Sequence, residues 1–187
     1  MHVVSISSLK GGVGKTTTAR IIAKAIRCEQ TTDKGTPCNQ CSDCVEITAG
    51  RSIDVLEIDG ASNNGVDAVR ELRDGAKFLP SRGKYKIYII DEVHMLTTAA
   101  FNALLKVLEE PPAHLIFILA TTDPQKIPAT VLGRCQRYDF KRVSPKDLYD
   151  RLAQICKAEG VTFEEAALLV LAREADGSLR DGISLLD

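Results

Sequence analysis

The run KGGVGKT at positions 10–16, set between a short β-rich stretch and an amphipathic one, constrains this chain more than any other feature. HVVSIS at 2–7 reads as a strand, and TTARIIAKAIR after the loop carries apolar residues at helical spacing. Strand, glycine loop and helix in that order aim backbone N–H groups at one point, where the positive end of a helix favours an anion. Gly11, Gly12, Val13 and Gly14 supply that backbone, Lys15 reaches the β and γ oxygens of a triphosphate, and the Thr16 hydroxyl is placed for magnesium. Thr17 follows as a further binding candidate, and Lys10 precedes the glycines as either a phosphate contact or a solvated loop charge. A turn that merely joins strand to helix is the plain alternative, and the elements on both sides argue against it. The usual spacing G-x-x-x-x-G-K-[ST] puts its first glycine where this chain has Leu9.

Three further apolar runs follow, DVLEID at 54–59, KIYIID at 86–91 and HLIFILAT at 114–121, with helical patterns between them, and QRYDF at 136–140 offers a fifth strand. Such alternation predicts a parallel five-stranded sheet with helices on both faces, an α/β nucleotide-binding fold. KIYIIDE ends a buried strand on adjacent carboxylates, which suits Asp91 to the loop's magnesium and Glu92 to orienting or deprotonating an attacking water. After Val143 the chain turns helical, so a nucleotide-binding domain over 1–142 and a small helical lid over 143–187 are expected. The last residues lie inside an amphipathic pattern without a stop signal, which reads as truncation of the lid.

Cys38, Cys41 and Cys44 form a tight knuckle, and Cys28 lies upstream at the end of the first predicted helix. Four soft thiolates match a tetrahedral structural zinc site, in an insertion spanning about 28–44; an iron–sulfur cluster or a redox pair is the alternative. Cys135 and Cys156 read as small packed residues, and His94 as a packed residue at a helix start rather than a base. No apolar stretch approaches the roughly 20 residues that span a bilayer, and MHVVSIS lacks the features of a secretory signal, so a cytoplasmic protein without membrane contact is expected. The formal net charge of −1 gives no global footprint for nucleic acid.

The strings DEVHMLTTAAFNALLKVLEEPP, ATTDPQKIPATVLGRC, IDVLEIDGASNNGVDAVREL and GSLRD, with the spaced cysteines, resemble the tau/gamma subunits of bacterial DNA polymerase III clamp loaders from about Gly12 to Asp187. The resemblance implies an AAA+ P-loop fold with a zinc module. It further implies ATP sites at the interfaces of a five-membered ring that, with its other clamp-loader subunits, opens a sliding clamp and loads it on primed DNA. Carried over by position, Lys15 and Thr16 bind phosphate and Mg2+, Asp91 and Glu92 form the second catalytic motif, Thr122 is the first sensor and Arg180 the second. Arg134 falls on the Ser-Arg-Cys motif as an arginine finger into the neighbouring subunit, although Gly133 stands where that motif has serine. Residues 1–11 are more similar to the K-G-G-x-G-K-T loop of partition and septum-site ATPases, where the lysine corresponding to Lys10 contacts phosphate across a dimer. The family's N-terminal segment, which helps enclose adenine, has no counterpart ahead of the first strand, so part of the base pocket is expected to be missing. A partition-type dimer and a nucleotide-binding scaffold without productive hydrolysis are the competing functions.

Overall fold

Burial along the strands explains how they pair. In the computed structural model, which describes residues 3–8, 14–32 and 35–187, the segments Lys86–Asp91 (β3) and Leu115–Thr121 (β4) are buried almost end to end. Such strands need cover on both faces and belong at the centre of a parallel sheet. Val55–Asp59 (β2) and Gln136–Phe140 (β5) are largely exposed and lie at its edges, with Val3–Ser8 (β1) completing the order β2-β3-β4-β1-β5. β1 runs parallel to β4, β4 to β3 and β3 to β2, with Ser7 opposite Thr121 and Asp59 opposite Asp91. The expectations for Lys10, Gly11, Gly12 and Val13 fall outside the described residues.

Helices cover the sheet because their apolar stripes match it. Val69 and Leu72 of Val66–Gly75 (α3), with Phe101, Leu104 and Leu108 of Thr98–Glu109 (α4), share one core with Tyr88, Ile90, Phe117 and Leu119. Thr97 caps α4 by accepting the Ala100 N–H at 3.2 Å. Lys15–Arg27 (α1) is fixed to β2 by a fork in which Arg20 Nε and Nη2 donate to the two Glu57 oxygens at 2.7 and 2.8 Å. At the other end of α1 the Arg27 guanidinium is buried, bonded to Asp43 Oδ1 at 3.2 Å, to Asp54 Oδ2 at 3.0 Å and to the Tyr85 carbonyl. Asp43 belongs to Ser42–Thr48 (α2), so this guanidinium joins the cysteine insertion to the sheet.

The described chain divides into two compact units, one of residues 3–7 and 16–138 and one of 139–187, which also takes Ser8, Gly14 and Lys15. Ala129–Leu132 (α5) belongs to the first. The second packs Pro145–Glu159 (α6), Glu165–Glu174 (α7) and Leu179–Ser184 (α8) around Leu148, Leu152, Cys156, Leu168 and Ala172. Ser144 caps α6 and Gly160, at φ 71°, ends it in the left-handed region.

Two buried polar features set testable energies. The Ser5 hydroxyl in β1 is fully buried and has no hydrogen-bond partner among the described residues. Leaving such a group unpaired costs about 1–3 kcal/mol. Ser5→Ala is therefore expected to raise stability by about 1 kcal/mol in urea denaturation; an equal or lower midpoint would mean that the hydroxyl is satisfied. Burial pushes the Asp54 carboxyl up, but N–H and O–H donation from Ser81, the Arg82 N–H and the Arg27 charge together hold it below the usual carboxylate range. A carboxyl lowered in the folded state stabilises above its unfolded pKa, and the protein loses that contribution as the pH falls through the carboxylate range. Arg27→Ala strands both carboxylates and is expected to cost about 3–5 kcal/mol at neutral pH, read from the same denaturation curve.

Candidate phosphate, magnesium and zinc sites

The ends of β1, β3 and β4 converge because parallel strands bring their carboxyl ends to one side, where doubly wound sheets bind ligands. Gly14 adopts φ 88°, a conformation glycine reaches without penalty, and α1 opens at Lys15, whose side chain is buried. In the first turn of α1 the Thr16 hydroxyl donates to Asp91 Oδ2 at 2.5 Å, while Thr17 is exposed. A hydroxyl and a carboxylate in contact form a hard-oxygen pair of the kind that magnesium takes, so these residues fit that ion.

Beyond Asp91 the backbone turns sharply. Glu92 sits at φ 45°, ψ 45°, in the left-handed region, and its N–H donates to Asp91 Oδ1 at 2.9 Å. Gly60, after β2, donates its N–H to the Asp91 carbonyl at 2.7 Å. A Cβ on Gly60 would come within 2.9 Å of that oxygen and 2.8 Å of the Glu92 carbonyl, so only glycine lets the two backbones meet. Glu92 Oε2 accepts from Thr122 Oγ1 at 2.9 Å and from Thr122 N–H at 3.2 Å. Thr16, Asp91, Glu92 and Thr122 thus form one connected group.

Arg134 and Arg180 stand outside that group. Arg134 follows α5, donates to the Thr130 carbonyl at 2.6 Å and to Glu109 Oε1 at 3.1 Å, and keeps its side chain 38% exposed. Gly133 before it has an ordinary helical φ of −63°. Arg180 is exposed on α8 in the second unit.

The four cysteines of the insertion converge, with the Sγ atoms of Cys28, Cys38, Cys41 and Cys44 all within 4.8 Å of one another. Cys28 Sγ accepts the N–H groups of Gln30 and Cys38, and Cys38 Sγ those of Gln40 and Cys41, a pattern that favours thiolate sulfur. Those amides of Gln40 and Cys41 pull the Cys38 thiol down to about 6, whereas burial pushes Cys44 up to about 12. Four soft donors at this spacing fit a closed tetrahedral zinc site. The remaining cysteines behave as packed residues. Cys156 is in the helical core, and Cys135, raised to about 11 by burial, donates to the Val131 carbonyl at 3.2 Å.

The sequence reads His94 as a packed residue, and packed it is, but its polar contacts are not legible there. Its side chain is 9% exposed, and Nδ1 lies 3.0 Å from Thr121 Oγ1 and 3.3 Å from Glu92 Oε2. The one signal for it was its place in the string DEVH, directly after the acidic pair. His114 is a packing residue that meets the Ala76 carbonyl through Nε2 at 3.0 Å. No helix among the described residues is long and apolar enough to cross a membrane.

A family model described as "DNA polymerase III, delta subunit" matches residues 5–144, and one described as "DNA polymerase III clamp loader subunit, ATPase lid domain" matches residues 147–187. The chain is 56% identical over 176 residues to the DNA polymerase III subunit tau of Bacillus subtilis, which covers 94% of this chain and 31% of that protein. It is 48% identical over 187 residues to the subunit tau of Escherichia coli, covering 100% and 29%. The chain thus spans less than a third of the length of these relatives. Among solved structures, the RuvB Holliday junction branch migration motor of Thermotoga maritima shares 18% identity at a TM-score of 0.67, over 97% of this chain and 52% of that one. A gamma subunit-related protein of DNA polymerase III from the same organism shares 22% at 0.55, over 93% and 52%.

Stripping the insertion of metal tests the thiolate site. If zinc holds residues 28–48, chelation should raise amide hydrogen exchange there while β3 and β4 stay protected, because four thiolates supply much of a short segment's stability. Exchange unchanged after verified metal removal would argue against a structural ion.

Proposed function

Because the chain belongs to the tau/gamma family of bacterial DNA polymerase III clamp-loader subunits and has their AAA+ fold, we propose that it binds and hydrolyses ATP as one subunit of a replicative clamp loader. The observation that carries this reading is the connected group of Thr16, Asp91, Glu92 and Thr122 at the strand ends. Lys15 and the backbone of residues 10–16 hold the phosphates, and Thr16 and Asp91 hold magnesium, which neutralises charge on the transferring phosphoryl group. Glu92 orients the attacking water and accepts its proton. Thr122 and Arg180 act as sensors of the nucleotide. Arg134, exposed and held by Glu109 and Thr130, reaches the site of a neighbouring subunit, where a guanidinium stabilises charge that develops on the γ oxygens.

In this reading residues 1–142 form the nucleotide-binding domain, residues 143–187 its lid, and Cys28, Cys38, Cys41 and Cys44 a structural zinc module. The partners are further clamp-loader subunits in a five-membered ring, a sliding clamp and primed DNA, in the cytoplasm. A nucleotide-binding scaffold without hydrolysis is the second reading, and the engagement of Glu92 Oε2 by Thr122 is what speaks for it.

Two substitutions separate these readings. In the full-length chain with its partner subunits, Glu92→Gln should leave ATP affinity nearly unchanged and lower turnover at least about 100-fold; persistent turnover removes Glu92 from the chemistry. Arg134→Ala should lower turnover about 1,000-fold in the assembled ring and leave the isolated chain unaffected. An equal loss in the isolated chain would place Arg134 in its own subunit's site.

A further inference from the structure

The turn that follows Glu92 is rigidly built. Val93 is fully buried, the Met95 N–H donates to the Glu92 carbonyl at 2.9 Å, and the Leu96 N–H donates to the Val93 carbonyl at 3.1 Å. This short 3-10 turn, Val93–Met95, fixes the backbone of His94 and brings one ring nitrogen, Nδ1, to face two oxygens, Thr121 Oγ1 at 3.0 Å and Glu92 Oε2 at 3.3 Å. Thr121 is itself fully buried, and its hydroxyl oxygen already accepts the Asp123 N–H at 3.0 Å.

The chemistry of these groups selects one proton arrangement. A carboxylate offers only acceptors, so a lone pair on Nδ1 would face a lone pair on Glu92 Oε2. With the proton on Nδ1, the ring donates to Thr121 Oγ1, and the same N–H dipole lies 3.3 Å from Glu92 Oε2, an attractive electrostatic contact. Glu92 Oε2 then receives two hydrogen bonds, from the Thr122 hydroxyl and the Thr122 N–H, and faces His94 Nδ1–H at 3.3 Å. Glu92 Oε1 has no hydrogen-bond partner among the described residues, and the side chain is 32% exposed.

We propose that His94 is a positioning residue for Glu92: its Nδ1–H, anchored on Thr121, pins Oε2 and thereby turns Oε1 outward as the oxygen that meets the attacking water. The inference rests on the reading of Glu92 as the water-orienting carboxylate. Its physical basis is that a glutamate held through one oxygen by donors from a single neighbour still rotates about its terminal torsion. A donor from a second direction removes that freedom. Thr121 and Thr122 are adjacent at the end of β4, while Glu92 and His94 follow β3, so the two strand ends are joined through both pairs. The arrangement keeps a catalytic oxygen aimed without immobilising it against the protein.

The test uses the full-length chain with its partner subunits, reading nucleotide affinity, single-turnover hydrolysis at saturating ATP and thermal stability. His94→Ala should lower the hydrolysis rate about tenfold while leaving ATP affinity within about twofold, since the lost interaction serves the transition state. His94→Asn, whose side-chain amide reaches the place of Nδ1, should recover most of that rate. Thr121→Val, which removes the anchor and leaves the imidazole, should give an intermediate loss. In a Glu92→Gln background, His94→Ala should cost nothing further, because a residue that acts through Glu92 has nothing left to position.

An unchanged rate in His94→Ala would overturn the proposal, as would a loss that Asn does not restore and that tracks a fall in stability or ATP affinity. So would an additional loss in the Glu92→Gln background. If the Ala variant does not fold, the Asn and Val variants decide, since wild-type hydrolysis by Thr121→Val together with a wholly inactive Asn variant contradicts the anchoring. Should Glu92→Gln itself turn over ATP like wild type, the assignment of Glu92 fails, whereas an inactive Glu92→Gln beside a fully active His94→Ala defeats only the role of His94.

Discussion

A guanidinium taken out of water must find its compensation in the protein, and Arg27 finds it in two carboxylates and a carbonyl drawn from three separate parts of the chain. Much of the first compact unit follows from that requirement. Asp54 precedes the edge strand β2, Asp43 lies in the helix of the cysteine insertion, and Tyr85 precedes β3. A charge buried among these groups ties all three to the last turn of α1. The first turn of the same helix carries Thr16, and the residue after Arg27 is Cys28. One rigid rod of 13 residues therefore ends near the Thr16–Asp91 oxygen pair on one side and runs into the four-cysteine cluster on the other.

The opposite side of the site is set by the sheet rather than by charge. Asp91 is delivered by the register of β3 between β2 and β4, and the backbone beyond it is held by the Gly60 N–H from the end of β2. The donors to Glu92 come from the end of β4. Three adjacent strand ends thus define the positions of the oxygens, and the helices hold those strands in place through the core around Tyr88, Phe101 and Phe117. Packing supplies the precision that solvated loops lack.

Much of this was legible in the sequence because it is local. The apolar runs of β3 and β4, the glycine loop, the acid pair and the cysteine knuckle each span a few residues, and each has a physical reason for its composition. What the sequence left out is what depends on distant partners. Arg27 reads as an ordinary basic residue in the last turn of a helix, favourable to the dipole, and nothing local reveals that Asp43 and Asp54 converge on it. His94 reads only as a packed residue at a helix start, because its partner Thr121 lies 27 positions away. The strand order is likewise a property of the whole sheet: DVLEID reads as an apolar run like KIYIID, yet β2 lies largely exposed at the edge.

The left-handed backbone at Glu92 has a consequence for how such a chain evolves. A non-glycine residue there bears roughly 1 kcal/mol of strain or more, and glycine would relieve it while deleting the carboxylate. Selection for a stable backbone and selection for the carboxylate thus pull position 92 in opposite directions. A library sorted only for abundance in cells would enrich the glycine variant that a library sorted for the work of the carboxylate discards, and the disagreement between the two would mark this turn without any knowledge of the fold.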